Sequence, residues 1–439
     1  MKRLLIILLL VPTIAFGQTR TVNNLKINGY LKVSDNGSRV DTLKISNDSL
    51  YMYSGGIAYH IQGDTSPGGT GDEDIYAGDY FINALHGNDE WSGTRADSAW
   101  KTITRLNTEI TAGNIGAGDT ISLRAGQVHH GSIASGGYDG SSGNEITVTS
   151  YGTGRATLTG AKRITTGWSD TDDNNIWKLT DEDLPSTDVD LPGIKINSTW
   201  YAIGRYPNSG WLTMDAVDTD TIFYDAGITQ ADHTWDDAQA VIRDSRFSIA
   251  RSQVHRQTGD SVYLTETTYH ALDQGWGYFF QNDTNCLDQN GEWAFDYSTQ
   301  TIYVYWNDDM NDCVVDVPTL EEGIYLTGSN YWIVDSLIIE MFYAQGLHLS
   351  TSDYCQATNN LIRYCGTWGI RNGGSADNNV IQYNTLTNLP NNGIRVYLST
   401  GVQVLNNTMT NIGMIPGMGQ GGTDTYSAII ESAAAAGGN

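Results

Sequence analysis

Apolar and polar residues alternate in short runs along the C-terminal part of the chain, and most runs end at Asn or Gly. The segments 379–384 and 402–407 are examples. A helix would instead need apolar residues three or four positions apart over about ten residues or more. The pattern therefore predicts short β-strands joined by tight turns, and it excludes helical and leucine-rich repeats.

A glycine followed by an aliphatic residue recurs at a nearly fixed interval in the same region. The pairs begin at Gly323, Gly346, Gly369 and Gly393, which are 23, 23 and 24 residues apart. A constant interval of this size is typical of a solenoid, and the short runs indicate that its units are parallel strands. Stacked Asn residues at equivalent turns would bond one another and tolerate left-handed backbone.

The alternation within these strands also predicts a row of outward side chains. The aliphatic residue after each glycine is expected to face the core, so the next residue faces outward, and coils stack about 4.8 Å apart. The row, which we call the ladder, consists of Tyr325, His348, Arg371 and Arg395. It is the candidate substrate-binding site, because Tyr stacks on sugars and Arg donates to hydroxyls or carboxylates. The alternative is a solvated face, although stacked arginines cost stability unless an anion lies near.

Alternating runs separated by Asn-Gly and Gly-Gly also fill residues 18–63. They predict the hairpins of a small antiparallel β-module. The Gly-rich stretch at 64–77 is predicted to be a linker.

Composition narrows the function of the chain. Its net charge is −26, with 25 Tyr and 12 Trp among 439 residues. Nucleic acids and anionic membranes are bound by basic patches, so neither partner is expected. The aromatic content supports a real core. We expect a glycan or polysaccharide as the partner, and a monomer for the complete protein.

The N-terminus predicts export. Lys2 and Arg3 precede an apolar run at 4–11, and small residues follow at 15 and 17. This is the pattern of a bacterial signal peptide, spanning residues 1–17, so we expect a secreted, periplasmic or cell-surface protein. The apolar run is too short to span a bilayer.

Four cysteines remain in the exported chain, and an even number permits disulfides. The local pairs Cys286–Cys313 and Cys355–Cys365 are one interpretation, and buried free thiols are the other. The spacing matches no zinc motif, and no metal site is predicted from it.

Residues 78–160 resemble the start of right-handed parallel β-helix proteins of the pectate-lyase-like superfamily. The matching phrases are Gly87-Asn88-Asp89, Trp100–Ile103 and the run 118–126, GDTISLRAG. In that superfamily they mark a capping helix, expected here up to about Ala112, and the first coils. The resemblance implies an all-β fold, a right-handed parallel β-helix solenoid.

The region 161–320 is predicted to be a β-rich insert in that helix, and 321–439 to hold the repeats. Its phrases Arg205–Trp211 and Gly291–Asp296 resemble β-helix glycoside hydrolases in which a β-subdomain interrupts the helix. The resemblance implies a glycoside hydrolase acting on a polysaccharide, with no cofactor.

Hydrolysis of sugars usually needs two carboxylates on opposite sides of the bond. Asp353 and Asp377 are 24 residues apart and should stack on adjacent coils. They are the candidate catalytic pair, and the alternative is that both cap turns.

Two other functions stay open. A polysaccharide lyase cleaving uronate polymers by β-elimination could use Arg371 or Arg395 as its base, since no Lys follows Lys195. The acidic run at 170–175 could hold Ca²⁺ or be a solvated loop. A glycan-binding or adhesion solenoid without catalysis is the third reading.

The end of the chain interrupts the repeat. The fifth unit is expected to open at 428–430, and counting one strand onward reaches Asn439, the last residue. Terminal repeats need a polar cap. We therefore expect that this sequence is truncated at its C-terminus and that catalytic coils can lie beyond it.

Overall fold

The computed structural model describes residues 76, 78–171, 175–187, 189–418 and 430–433, and the strands of an N-terminal unit. Contacts divide the chain into two compact units, Met1–Ile75 and Tyr76–Asn439. The predicted signal peptide, most of the predicted linker and the last six residues lie outside the described residues.

The first unit is a four-stranded antiparallel sheet in which each strand pairs with the next one along the chain. This is the small β-module expected from the alternating runs. Its strands are β1 Tyr30–Asp35, β2 Arg39–Ser46, β3 Ser49–Ser54 and β4 Ile57–Ile61.

The second unit begins with a cap and the first coils of the solenoid. Helix α1 spans Ile103–Thr111, one residue shorter than expected, and the Thr102 side chain accepts a hydrogen bond from the Arg105 N–H at its start. Such caps satisfy N–H groups that have no partner within a helix. A 3₁₀-helix covers Ala96–Ser98. The strands are β5 Tyr80–Ile82, β6 Thr120–Arg124, β7 Val128–His130, β8 Ile133–Ala134, β9 Ile146–Tyr151 and β10 Ala156–Thr159.

An antiparallel insert follows β10. It contains 3₁₀-helices at Thr284–Cys286 and Met310–Asp312. Its strands are β11 Ala161–Ile164, β12 Ser169–Asp170, β13 Ile176–Thr180, β14 Ile194–Ile196, β15 Thr199–Tyr201, β16 Arg205–Tyr206, β17 Leu212–Thr213, β18 Ala216–Thr219, β19 Ile222–Tyr224, β20 Gln239–Ile242, β21 Ala250–Thr258, β22 Ser261–Leu264, β23 Gly277–Gln281, β24 Trp293–Asp296, β25 Thr301–Tyr305 and β26 Val315–Pro318.

The repeats resume after the insert. Their strands are β27 Glu322–Thr327, β28 Trp332–Asp335, β29 Leu337–Glu340, β30 Gln345–Ser350, β31 Gln356–Thr358, β32 Leu361–Arg363, β33 Trp368–Gly373, β34 Val380–Gln382, β35 Thr385–Leu389, β36 Asn392–Tyr397, β37 Gln403–Leu405, β38 Thr408–Ile412 and β39 Ile430–Ala433.

Each coil contributes one strand to each of three parallel sheets. Sheet 1 runs from β5 through β28 to β37, sheet 2 from β8 through β27 to β39, and sheet 3 from β7 through β29 to β38. Strand β10 pairs directly with β29, with Ala156 opposite Leu337, so the stack continues across the insert. The coils wind right-handed, and the predicted fold is confirmed.

Inside the coils, aliphatic residues fill the core and asparagines stabilise one corner. Asn360 Nδ2 donates to Asn384 Oδ1 at 3.1 Å, and Asn384 Nδ2 donates to Asn407 Oδ1 at 3.0 Å. Asn360 and Asn384 are fully buried. The left-handed backbone belongs to the residues just before them, Asn359, Tyr383 and Asn406.

The last strand departs from the expected period. Its register pairs Ile430, not Ile429, with Ile394, an interval of 36 residues. The connection after β38 explains the longer interval, because it runs against the insert. A Cβ added at Gly417 would meet the Val241 side chain at 2.8 Å.

The four cysteines are buried free thiols, so the local disulfide pairs are wrong. Cys355 and Cys365 flank β31 and β32 at separate corners, where the Cys355 thiol contacts the Ser329 carbonyl at 3.3 Å. Burial raises the pKa of both the Cys355 and the Cys365 thiols to about 12.

Candidate functional site

The ladder lies on sheet 2 as the period predicts. Tyr325 pairs with His348, His348 with Arg371, and Arg371 with Arg395 on consecutive coils. Their predecessors are fully buried in the core, namely Ile324, Leu347, Ile370 and Ile394. The two faces of these strands therefore separate core packing from the outer row.

A second outward column runs beside the ladder and was missed from the sequence. It begins each strand of sheet 2 and consists of Glu322, Gln345, Trp368 and Asn392. The signal that could have found it is the same period of 23 or 24 residues, counted from Glu322 rather than from Gly323.

The two columns meet in a carboxylate–imidazole pair. Glu322 Oε1 lies 2.6 Å from His348 Nδ1, and the side chains are only 16% and 10% exposed. The Tyr325 ring lies over the imidazole, with the centroids 5.0 Å apart and the planes tilted by 31°. The partial burial strengthens the pair, because water competes less for its hydrogen bond.

Farther along the ladder, two arginines share one indole. The guanidinium carbons of Arg371 and Arg395 lie 5.0 and 4.7 Å from the Trp368 ring centroid. Cation–π attraction holds such groups flat on the ring. The register then aligns Glu431 with Arg395 on the next coil. This end of the ladder is therefore a cationic and aromatic surface.

Asp353 and Asp377 do lie on adjacent coils, at the corner between sheets 2 and 1. Asp353 Oδ1 accepts from the Asp377 N–H, and Asp377 Oδ1 accepts from the Thr400 N–H, both at 2.7 Å. Asn330 accepts in the same way from the Asp353 N–H. These are the contacts of turn caps, and the structure does not bring this pair together with the ladder's hydrogen bonds.

Another buried carboxylate joins the insert to the coils. Glu340 accepts from Lys195 Nζ at 2.7 Å and from Arg363 Nε at 2.6 Å. Lys195 lies on β14 of the insert, and its ammonium also lies 5.0 Å from the Tyr364 ring centroid. Both oxygens of Glu340 are thus engaged in holding the insert against sheet 3.

The insert has a cleft of its own, about 650 Å³ in volume, lined by Asp237, Asp283, Asp296 and Tyr297 among others. Burial, followed by the charge of Asp237, raises the pKa of the Asp283 carboxyl. Asp283 accepts from the Asn285 N–H, and Asp296 accepts from Ser298. These carboxylates are turn caps within the insert.

Metal and membrane sites were sought in the same residues. Among the residues that the structure describes, no group of three His, Cys, Asp or Glu side chains is placed to hold a metal ion. The acidic run at 170–175 lies partly outside them. None of the described helices is long and apolar enough to cross a bilayer.

Comparison with known proteins agrees with this geometry. A family model described as a right handed β-helix region matches residues 233–409. The chain is a right-handed β-helix protein. No curated protein sequence matches it.

Solved structures share the fold of this β-helix. One described as a glycoside hydrolase matches with a TM-score of 0.61 at 15% identity, over 73% of this chain and 67% of that chain. A complex of XylC with xylose gives 0.44 at 14%, over 75% and 53%. An alginate lyase from Paenibacillus sp. str. FPU-7 gives 0.29 at 12%, over 69% and 56%. The chain thus spans little more than half the length of the last two.

Proposed function

We propose that this β-helix is a carbohydrate-active protein that binds a polysaccharide along the ladder. The observation that carries the proposal is the register that stacks Tyr325, His348, Arg371 and Arg395 on one outer face. Consecutive rungs about 4.8 Å apart present repeated contacts to a repeating polymer, which suits a glycan chain better than a small molecule.

The chemistry of the row favours an acidic glycan. Arg371 and Arg395 place two positive charges on neighbouring coils of a chain whose net charge is −26. A polymer carrying carboxylates would pair with both guanidinium groups, which donate to carboxylates in a fork. The tyrosine ring at the other end of the row offers a face on which a sugar can stack.

Hydrolysis is the reaction implied by the resemblance to β-helix glycoside hydrolases, and Asp353 and Asp377 are its proposed pair. The expected test is the loss of reducing-end release, by about 100-fold or more, in Asp353→Asn and Asp377→Asn. Asp335→Asn on the same coils is the matched control. Unchanged release in both variants would leave the two carboxylates as turn caps.

We also propose that the protein acts outside the cytoplasm as a secreted, periplasmic or cell-surface protein. The basic and apolar N-terminus at residues 2–11 motivates this proposal. Expression of the full chain in a bacterium should give a product that begins at Gln18 in N-terminal sequencing. An unprocessed cytoplasmic product would contradict it.

The function itself is tested with a panel of neutral and acidic polysaccharides. The full chain should be retarded in gels that contain its polymer, and reducing ends should rise if the polymer is cleaved. Retardation without cleavage would identify a binding or adhesion solenoid. Neither retardation nor cleavage on any member of the panel would refute the proposed function.

A further inference from the structure

We propose that Glu322, His348 and Tyr325 form an acid–base site for β-elimination of a uronate-containing polysaccharide, an inference that rests on the glycan binding proposed above. The three side chains lie on the outer face of the paired strands β27 and β30. They combine a base, a group that orients it and a proton donor.

His348 has the arrangement of a general base. Its Nδ1 lies 2.6 Å from Glu322 Oε1, and the carboxylate accepts the Nδ1 proton. A proton fixed on Nδ1 leaves the lone pair of Nε2 for an incoming group. Among the described residues, Glu322 is the hydrogen-bond partner of this ring. Glu322 is therefore a positioning residue, and His348 is the group that would touch substrate.

Tyr325 supplies the proton donor. Its ring lies against the imidazole, with the centroids 5.0 Å apart. A phenol O–H can protonate a leaving oxygen while a neighbouring base takes a proton from carbon. Because the two rings occupy adjacent rungs, one bound sugar could contact both.

Arg371 completes the site on the other side of the base. It pairs directly with His348 in the strand register, and its guanidinium is held over Trp368 at 5.0 Å. Removal of a proton beside a carboxylate builds negative charge on that carboxylate. A fixed cation at this position stabilises that charge as it develops.

The reaction balances without any other reagent. His348 Nε2 removes the proton from C5 of the uronate, and the electron pair forms the C4=C5 double bond as the C4–O bond breaks. The leaving oxygen takes the proton of the Tyr325 hydroxyl. The imidazolium then returns its proton to the tyrosinate through solvent, and both residues regain their starting state.

Hydrolysis fits this corner of the ladder less well. Glycosidases usually use two carboxylates, one on each side of the scissile bond. Among the side chains that the structure describes in the ladder and its neighbouring column, Glu322 is the carboxylate, and its oxygen is engaged by His348. The chemistry available here is proton transfer by imidazole and phenol.

The full chain should be incubated with polygalacturonate, polymannuronate and polyguluronate, with xylan as the neutral control. Elimination predicts equal increases of reducing ends and of the ultraviolet absorbance of the conjugated double bond on an acidic polymer. Reducing ends without the absorbance would overturn the inference and leave glycan binding intact. Binding without cleavage of any acidic polymer would do the same, whereas absence of binding would refute the proposed function itself.

Variants assign the residues. Tyr325→Phe keeps the ring contact and His348→Gln keeps a polar side chain, and each should lower kcat about 100-fold or more with KM nearly unchanged. Tyr383→Phe and His130→Gln, which lie elsewhere on the coils, are matched controls. Full elimination activity in either His348→Gln or Tyr325→Phe would overturn the assignment.

Glu322→Gln separates positioning from a structural role. An amide can donate to Nδ1 and favour the wrong tautomer, so kcat should fall at least about tenfold while KM stays constant. If Glu322 acts through His348, the double variant with His348→Gln should be no slower than His348→Gln alone. Additive losses, or a change confined to KM, would contradict this role.

Discussion

The repeated coils and the insert are both made of β-strands, yet different rules determine which strands pair. In the coils, Ile324 pairs with Leu347 and Leu347 with Ile370, each 23 residues farther along the chain. In the insert, Ala161 pairs with Pro318 and Ile176 with Tyr305. One interval thus determines every register in the coils, whereas each insert pairing must be specified separately.

This difference explains where a row of binding groups can arise. Repetition places equivalent residues one rung apart, so a polymer-binding surface needs only a suitable residue at one position of each coil. The insert has no such translation, and its polar side chains at Asp283 and Asp296 satisfy local turns instead. The insert is joined to the coils through Glu340 and Lys195.

The largest effect is expected where the two regions meet. Glu340→Ala leaves Lys195 buried without its carboxylate, and breaking such a pair costs about 3–5 kcal/mol. Denaturant unfolding should show this loss, while Glu321→Ala at an exposed neighbouring position should change stability little. A loss below about 1 kcal/mol would mean that the insert does not depend on this contact.

The asparagine column should rank next. Asn384→Ala removes hydrogen bonds to Asn360, Ala357 and Asn407. Buried groups left without partners cost about 1–3 kcal/mol each, so we expect a loss of about 2–3 kcal/mol in thermal or denaturant unfolding. The exposed Thr410→Ala is the control, and equal small effects would show that the coils stack without this column.

A smaller effect should follow from tight packing at the start of a strand. A Cβ at Gly346 would meet Ile362 at 2.7 Å and the Gly369 carbonyl at 2.8 Å, whereas Gly116 has open space. Gly346→Ala should therefore cost about 1–2 kcal/mol, and Gly116→Ala should not destabilise. Equal unfolding midpoints for the two variants would contradict the close approach of the coils.

The smallest effect expected is none at all, and it concerns the thiols. Since the four cysteines are free, a reductant should leave the Tm unchanged, and four thiols per chain should react in denaturant without prior reduction. A Tm that falls on reduction, or only two reactive thiols, would restore the disulfide interpretation.

The sequence predicted the coils better than the insert for the same reason that separates the two regions. The interval from Gly323 to Gly346 predicted the strand register and the ladder without further information. It failed at Ile430, because a connection that runs against the insert is longer than a turn. The pairing of Lys195 with Glu340 joins residues 145 positions apart, and no local pattern carries it.

The candidate site was predictable only in part. The outward row follows from alternation, but the contact of Glu322 with His348 depends on where two columns meet at the start of sheet 2. The choice of Asp353 and Asp377 used spacing alone. Spacing shows that two residues stack, and it does not show that a turn N–H occupies the carboxylate.

The central claim is that repetition of the coils builds a polysaccharide-binding surface, and the affinity of a double ladder variant tests it most directly. Arg371→Ala combined with Arg395→Ala should weaken retardation by an acidic polysaccharide at least about tenfold, with less than about 1 kcal/mol lost in stability. Arg246→Ala combined with Arg256→Ala, an equal charge change on exposed insert positions, should bind like the unaltered chain. Equal weakening by both pairs, or by neither, would contradict the claim.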